Sequence, residues 1–545
     1  MNFARPVLTL VRPAVPQCGG LDLVQGTKMR ARWLLPLLLI SATPLALAAP
    51  PASAPANLQG LEGYIQQVMH DWHVPGLSIV VVKDDNVVLA RGYGVRELGK
   101  PGKIDADTLF DIGSNSKAFT VAALGTLVSA GKLEWNTPVT DELKDFKLES
   151  PYVTQNVTLR DLLAHRTGYC DPGSAWYTSD ASDIVRRMRF QKPEYGFRTT
   201  FCYNNVQYLA ASRFIPAITG QSWNDYVAAH LFRPLGMART VSTEAGVASA
   251  SNVAAPHGLI DDKPAVIHHY WPHNMDVFAA VGGIWSSAND MGRWVQMLLA
   301  DGKHDGKAVL DPKVVDAMMT PHMLIRSGTG VGGEIRAWMP DGTFYTYGMG
   351  LFVQDDRGHK IVWHAGDIDG MASAVVLVPD AQLGIAVMEN MDHADARFAI
   401  VARVLQAMLD LPQHDLEPAL LAAARKNEAE DAAMDKKLAA TRVPGSKSPL
   451  SLADYAGTYA DNLGGTAHVA MEHGRLVLRL GNPDFTGDLA PWHDNTFRVT
   501  WRYKFYGSDY ATFDVNALRV PVRLTLAGMS LHFERTKPSA HEGSK

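Results

Sequence analysis

The chain has 545 residues, 47% hydrophobic and 20% charged, with a formal net charge of -5. That length exceeds what one domain usually holds, so more than one is expected. Three cysteines exclude a disulfide-rich scaffold, and the lack of a basic run beyond the N-terminal leader argues against a nucleic-acid partner.

Residues 1–28 have no readable role and are left unassigned, as expected if translation starts at Met29. Met29-Arg30-Ala31-Arg32, the apolar run 33–47 and the small-residue site Ala46-Leu47-Ala48 predict a signal peptide over 29–48. Pro36 and Pro44 interrupt that run, which is too short for a stable membrane span. A flexible Ala/Pro/Ser leader follows over 49–57. The expected destination is periplasmic or secreted.

A first domain is expected over 58–411. Residues 77–82 and 87–93 read as a strand pair across Lys83-Asp84-Asp85-Asn86, and 374–378 with 385–388 as another across Pro379-Asp380. Helices dominate between them, with capping-box spacing at Thr158/Asp161 and Ser287/Asp290. The fold class predicted is α+β, an antiparallel sheet built from both ends of the domain with a helical lobe inserted. Residues 412–449 read as a helical linker, rich in Ala, Lys and Glu over 417–438. Strand-like alternation then fills 450–537, for instance at Phe497, Val499 and Trp501, and predicts a small antiparallel β-barrel. Residues 538–545 form a tail.

Three short patterns carry chemistry. Ser114-Asn115-Ser116-Lys117 opens an apolar stretch running to Val128, and the three-residue spacing sets the Lys117 amine on the side of the Ser114 hydroxyl. A serine hydroxyl needs a base, and a lysine serves once burial or positive potential lowers its pKa. Ser129-Ala130-Gly131-Lys132 fits the same spacing but reads as a helix end. Tyr203-Asn204-Asn205 offers a proton relay in Tyr203 and an amide in Asn205 that can both donate to and accept from a substrate. His364-Ala365-Gly366 follows the strand-like 360–363 at a strand edge, where a backbone N–H can face a substrate. His304-Asp305-Gly306 and Lys100-Pro101-Gly102 match loosely but read as turns.

In this order the three patterns resemble the serine β-lactamase and DD-peptidase superfamily, in its class C-like branch. Thr158 to His165, Arg233-Pro234-Leu235-Gly236-Met237, Gly282 to Met291 and Tyr347-Gly348-Met349-Gly350 extend the resemblance. It implies Ser114 as acylated nucleophile, Lys117 as its proton acceptor and Tyr203 as second general acid/base. Asn205, His364 and Gly366 would contact substrate, and the backbone N–H groups of Ser114 and Asp367 would form the oxyanion hole. The terminal barrel resembles the lipocalin-like domain of some serine peptidases of the superfamily.

Two departures stand out. His364 replaces the lysine of many β-lactamases, and Arg166-Thr167 replaces the usual Thr-Ser after the family histidine. With Asp367 and Asp369 adding negative charge, His364 points away from a dedicated β-lactamase, whose substrates are anionic, and towards an ester, an amide or a peptide with a free amine. The alternative is that both aspartates are solvated loop acids. Cys18 precedes the signal peptide, so Cys170 and Cys202 remain as a candidate disulfide bracing Tyr203, or as two buried thiols.

The expected activity is hydrolysis of an amide or ester in a small peptide or ester, without cofactor or metal, with carboxylesterase and β-lactamase as alternatives. A homo-oligomer is compatible with this reading. Two readings from other classes compete: a non-catalytic receptor for peptidoglycan fragments or β-lactams, and a metal hydrolase using His268-His269 and His273, which lack the helical spacing of a zinc site.

Overall fold

The structure, a computed structural model, describes residues 56–173, 181–268, 275–326, 330–481 and 483–536. The expected signal peptide, His269 and His273 lie outside them. No helix of the described residues is long and apolar enough to cross a membrane.

The central sheet has eight antiparallel strands: β1 (Gly76–Lys83), β2 (Asn86–Gly94), β3 (Met323–Ile325), β4 (Tyr345–Tyr347), β5 (Phe352–Asp356), β6 (His359–Ile368), β7 (Met371–Val378) and β8 (Leu383–Glu389). Their spatial order is β2-β1-β8-β7-β6-β5-β4-β3. Asp84 and Asp85 link β1 to β2 with φ of 51° and 63°, a two-residue turn whose twist matches the flanking strands. β1 pairs with β8 from Leu77↔Glu389 to Lys83↔Leu383, so the two ends of the domain close one sheet, as expected.

Both faces of this sheet are covered, which explains why β7 is buried at every position. Val80, Val82 and Leu377 face a helical lobe, whereas Ile79, Val81 and Val376 face the helices Leu61–Asp71 and Ala396–Met408. In the helical lobe the helix Ser116–Ser129 is apolar all round and buried almost throughout, the signature of a central helix. Its end at Ala130, with Gly131 at φ 66°, is the stop expected for the decoy Ser129–Lys132. The Thr158/Asp161 capping box forms in full. The Ser287/Asp290 pair forms only half of one: Ser287 accepts from the Asp290 N–H, but the Asp290 carboxylate turns to the backbone N–H groups of Arg239 and Thr240. Buried there, it serves two unpaired donors in a neighbouring loop instead of one at its own helix.

A mostly exposed helix, Glu417–Ala440, leads to a closed eight-stranded antiparallel barrel from Gly457 to Arg535. Closure removes the unpaired edges that an open sheet would expose. Tyr459, Leu478, Phe497 and Phe513 fill its interior. The barrel docks through the loop Tyr503–Tyr506: the Tyr503 ring stacks on His268 at 3.7 Å, and the Tyr506 hydroxyl donates to Asp369 Oδ2 at 3.4 Å. His268, offered by the sequence as a metal ligand, thus belongs to the interdomain contact, with Nε2 3.5 Å from Asp484 Oδ2.

Candidate active site

Ser114 lies on a short 3-10 turn, Gly113–Asn115, ahead of the central helix. Lys117 follows in the first turn of that helix, three residues on, and so lies on the same side as Ser114. Lys117 Nζ is 2.8 Å from Ser114 Oγ and donates to the Val281 carbonyl at 3.0 Å. The lysine is wholly buried, and loss of hydration pulls its pKa far below the usual value, opposed weakly by the Asp171 charge. Burial, the first of the two causes named from the sequence, is the one that acts.

The Tyr203 hydroxyl hydrogen-bonds to Ser114, and its ring centroid is 4.8 Å from Lys117 Nζ. Burial, with smaller contributions from Tyr208, Asp171 and Asp367, drives its pKa well upward, so Tyr203 is a proton-bearing phenol at neutral pH. The loop carrying it is fixed from several sides. Asn204 caps the helix Asn205–Ser212, and its amide donates to the carbonyls of Tyr169 and Cys170. Asp171 accepts the Asn205 N–H at 2.8 Å. Cys170 and Cys202 are joined by a disulfide, resolving the alternative left by the sequence.

β6 passes the nucleophile turn at van der Waals distance. A Cβ on Gly366 would come within 1.9 Å of the Ile112 carbonyl oxygen, and one on Gly113, at φ 51°, within 2.8 Å of the Asp367 nitrogen. Only glycine permits that approach, which brings the Asp367 nitrogen against the Gly113–Asn115 turn. Ser373 on β7 donates to the Ile112 carbonyl at 2.7 Å and accepts from Asn115 at 2.8 Å, holding the turn against the sheet.

His364 is buried. Its Nδ1 can only donate to the Ala365 carbonyl, so Nε2 accepts from Tyr347 at 3.1 Å. Burial, with the nearby Lys117, brings its pKa down to about 3. It therefore enters the site as a neutral ring with both nitrogens engaged, and presents no free nitrogen to a substrate. Arg166 does not hang free in its departing motif: with Arg198 it brackets the Asp161 carboxylate, both at 2.6 Å.

The two aspartates beside His364 require a correction, for they are neither two free charges nor solvated loop acids. Asp367 is paired with Arg397 at 2.7 Å, and burial with the charges of Asp392 and Asp484 pushes the Asp369 carboxyl well upward, against the hydrogen bond from Tyr506. Four supporting residues escaped the sequence reading. Tyr347 and Asn115 had a signal, lying inside a quoted family block and inside the Ser114–Lys117 pattern, whereas Ser373 and Arg397 showed none beyond an ordinary strand or helix pattern.

A serine hydrolase of the β-lactamase and penicillin-binding-protein fold is what this architecture and constellation define. The profile named Beta-lactamase matches residues 61–408, and the chain belongs to that family. A second profile, a domain of unknown function (DUF3471), matches 441–539 and so takes in the barrel. The unguisins hydrolase of Aspergillus violaceofuscus is 28% identical, over 67% of this chain and 68% of its own length. That of Aspergillus campestris is 30% identical over 64% of each chain. The flp protein of Staphylococcus aureus MW2 is 25% identical, and 63% of its length is spanned. The chain thus covers about two thirds of these relatives. Among solved structures, the octameric penicillin-binding protein homologue from Pyrococcus abyssi superposes with a TM-score of 0.58 at 21% identity. It covers 88% of this chain and 100% of that one. SurE superposes at 0.51 and 20% identity, covering 88% of this chain and 99% of its own.

Proposed function

We propose that the protein hydrolyses an amide or ester bond of a small peptide or ester through an acyl-enzyme at Ser114. The observation that carries this is the buried Lys117 amine 2.8 Å from Ser114 Oγ. Held unprotonated, it takes the hydroxyl proton as Oγ attacks the acyl carbon. The Ser114 and Asp367 N–H groups would receive the developing oxyanion, and a donor of this kind is worth about 3 kcal/mol in the transition state. Tyr203, neutral and hydrogen-bonded to Ser114, would pass a proton to the leaving group, and water would then release the acyl group by the reverse route. Asn205, at the start of its helix, would orient the substrate amide.

Two relatives named as unguisins hydrolases support a hydrolytic reading. A periplasmic or secreted site of action is supported by the leader pattern at 29–48 and by the Cys170–Cys202 bond, which suits an oxidising compartment.

The test is the intact mass of the protein after a fluorophosphonate probe, beside Ser114→Ala, with turnover followed on simple aryl esters. A single adduct and turnover, both lost in a variant with unchanged thermal unfolding, are expected. Equal labelling of both proteins, or none in either, would remove the proposal, and none would favour the receptor reading.

A further inference from the structure

Asp367 contributes more than a backbone N–H. Its carboxylate extends to the face of the sheet covered by the helix Ala396–Met408, where Arg397 Nη1 meets it at 2.7 Å. The same nitrogen reaches the Gly366 carbonyl at 3.3 Å, Nη2 lies 3.6 Å from Asp395, and Nε has no hydrogen-bond partner among the described residues. Arg397 is 3% exposed and Asp367 28%, so the carboxylate is the outward member of the pair. A buried guanidinium requires an anion, and a strand residue of this chain supplies it.

Asp367 also engages a second cationic group: His393 Nδ1 stands 3.7 Å from the same oxygen, and the charges of Asp392 and Asp367 raise its pKa, whereas burial pushes Glu334 up to about 7 and Glu389 well upward. The Asp367 charge is also felt at Tyr203, as a small upward push on its pKa. Of the other basic groups at the site, Lys117 has its pKa pulled far down by burial and His364 is neutral. A substrate carboxylate approaching the Asp367 N–H would therefore find Arg397 and His393 already engaged by the Asp367 side chain.

We propose that Asp367 is a specificity-determining residue, a built-in carboxylate that occupies Arg397 and restricts the site to acyl substrates without a carboxylate beside the scissile bond. The inference rests on the hydrolase reading above and narrows its substrate class to neutral or cationic esters and amides. It makes Arg397 a latent carboxylate receptor, with donors to spare once Asp367 is shortened.

The experiment compares matched aryl esters that differ only in charge. One pair carries the carboxylate on the leaving group (3-hydroxybenzoate against 3-hydroxybenzamide), the other on the acyl group (succinyl against butyryl). The wild type is expected to favour the neutral member of at least one pair by tenfold or more in kcat/KM. Asp367→Ala should cut that preference by about tenfold, the scale of a hydrogen-bonded charge. Adding Arg397→Met should restore it, because the receptor is then gone. The quantity read is a ratio within one protein, so a general loss of activity does not imitate the effect. Should Asp367→Ala fail to fold, Asp367→Asn keeps the shape and is read by the same ratio. A wild type indifferent to charge in both pairs, or ratios unmoved by the Asp367 variants, would overturn the inference. A wild type that cleaves no ester and takes no fluorophosphonate label would instead fell the hydrolase reading beneath it.

Discussion

Burial at this site works in opposite directions on groups that touch one another. It pulls the Lys117 pKa far down and drives that of Tyr203 up, and both groups meet at the Ser114 hydroxyl. The same burial leaves His364 neutral with a pKa near 3, and this has a consequence for stability. Unfolded, His364 binds a proton as pH falls below about 6.5, while folded it does not until about pH 3. The unfolded state therefore gains protons first, and stability is lost as pH falls through that window. His364→Gln removes this titration. The stability advantage of wild type over the variant should shrink by about 2 kcal/mol between pH 7 and pH 5, at about 1.4 kcal/mol per pH unit. Urea unfolding at the two pH values checks it, and an unchanged difference would mean the folded histidine titrates normally.

Among the elements, the close passage of β6 over the nucleophile turn is the most demanding contact, and Gly366 is its tightest point. Gly366→Ala places a methyl group 1.9 Å from the Ile112 carbonyl oxygen, so strand and turn must separate. A loss of about 1–3 kcal/mol is expected, as for an overpacked core, together with a fall in turnover larger than any change in KM. Chemical denaturation and steady-state kinetics on one preparation would show it, and wild-type values for both would refute the close approach. The Cys170–Cys202 bond spans 32 positions and should add about 3–4 kcal/mol by restricting the unfolded chain. Thermal unfolding with and without reductant, beside the Cys170→Ala/Cys202→Ala variant, measures this; insensitivity to reductant would deny the bond a stabilising role.

The elements also show what a sequence can disclose. The β1–β2 hairpin was legible because apolar runs flank a turn of acidic residues, and the Ser114–Lys117 pair because its spacing is local; Tyr203 could be picked out only through its Tyr-x-Asn pattern and the order of the three motifs. Strands β3 and β4, of three residues each, are too short for any periodicity to mark them. The Arg397–Asp367 pair was hidden for another reason. Arg397 stands in an apolar helix where a solvated side chain would be the ordinary expectation, and only tertiary packing buries it. Asp369 was misread on the same ground: its raised pKa comes from burial and from Asp392 and Asp484, neither of which is its neighbour in sequence.

At the scale of the whole molecule, the barrel is not a pendant. Phe505 packs so closely on the strand His257–Ile260 that a Cβ at Gly258 would lie 2.5 Å from its ring, and Tyr506 reaches the β6–β7 turn at Asp369. Shortening Phe505 to alanine should loosen this contact and raise amide hydrogen exchange in residues 366–373, at the end of the sheet nearest Ser114. Exchange confined to the barrel loop would show that the barrel is mechanically separate from the site.

The pairing of β1 with β8 carries a temporal consequence. The Ile112 carbonyl and the Ser373 hydroxyl that steadies the nucleophile turn are 261 positions apart, and Leu77 waits for Glu389 to complete its strand. A chain emerging amino-terminus first therefore presents Ser114 long before the strands that steady its turn exist. Contacts of such long sequence separation form slowly. The turn is thus completed only once nearly the whole domain has emerged.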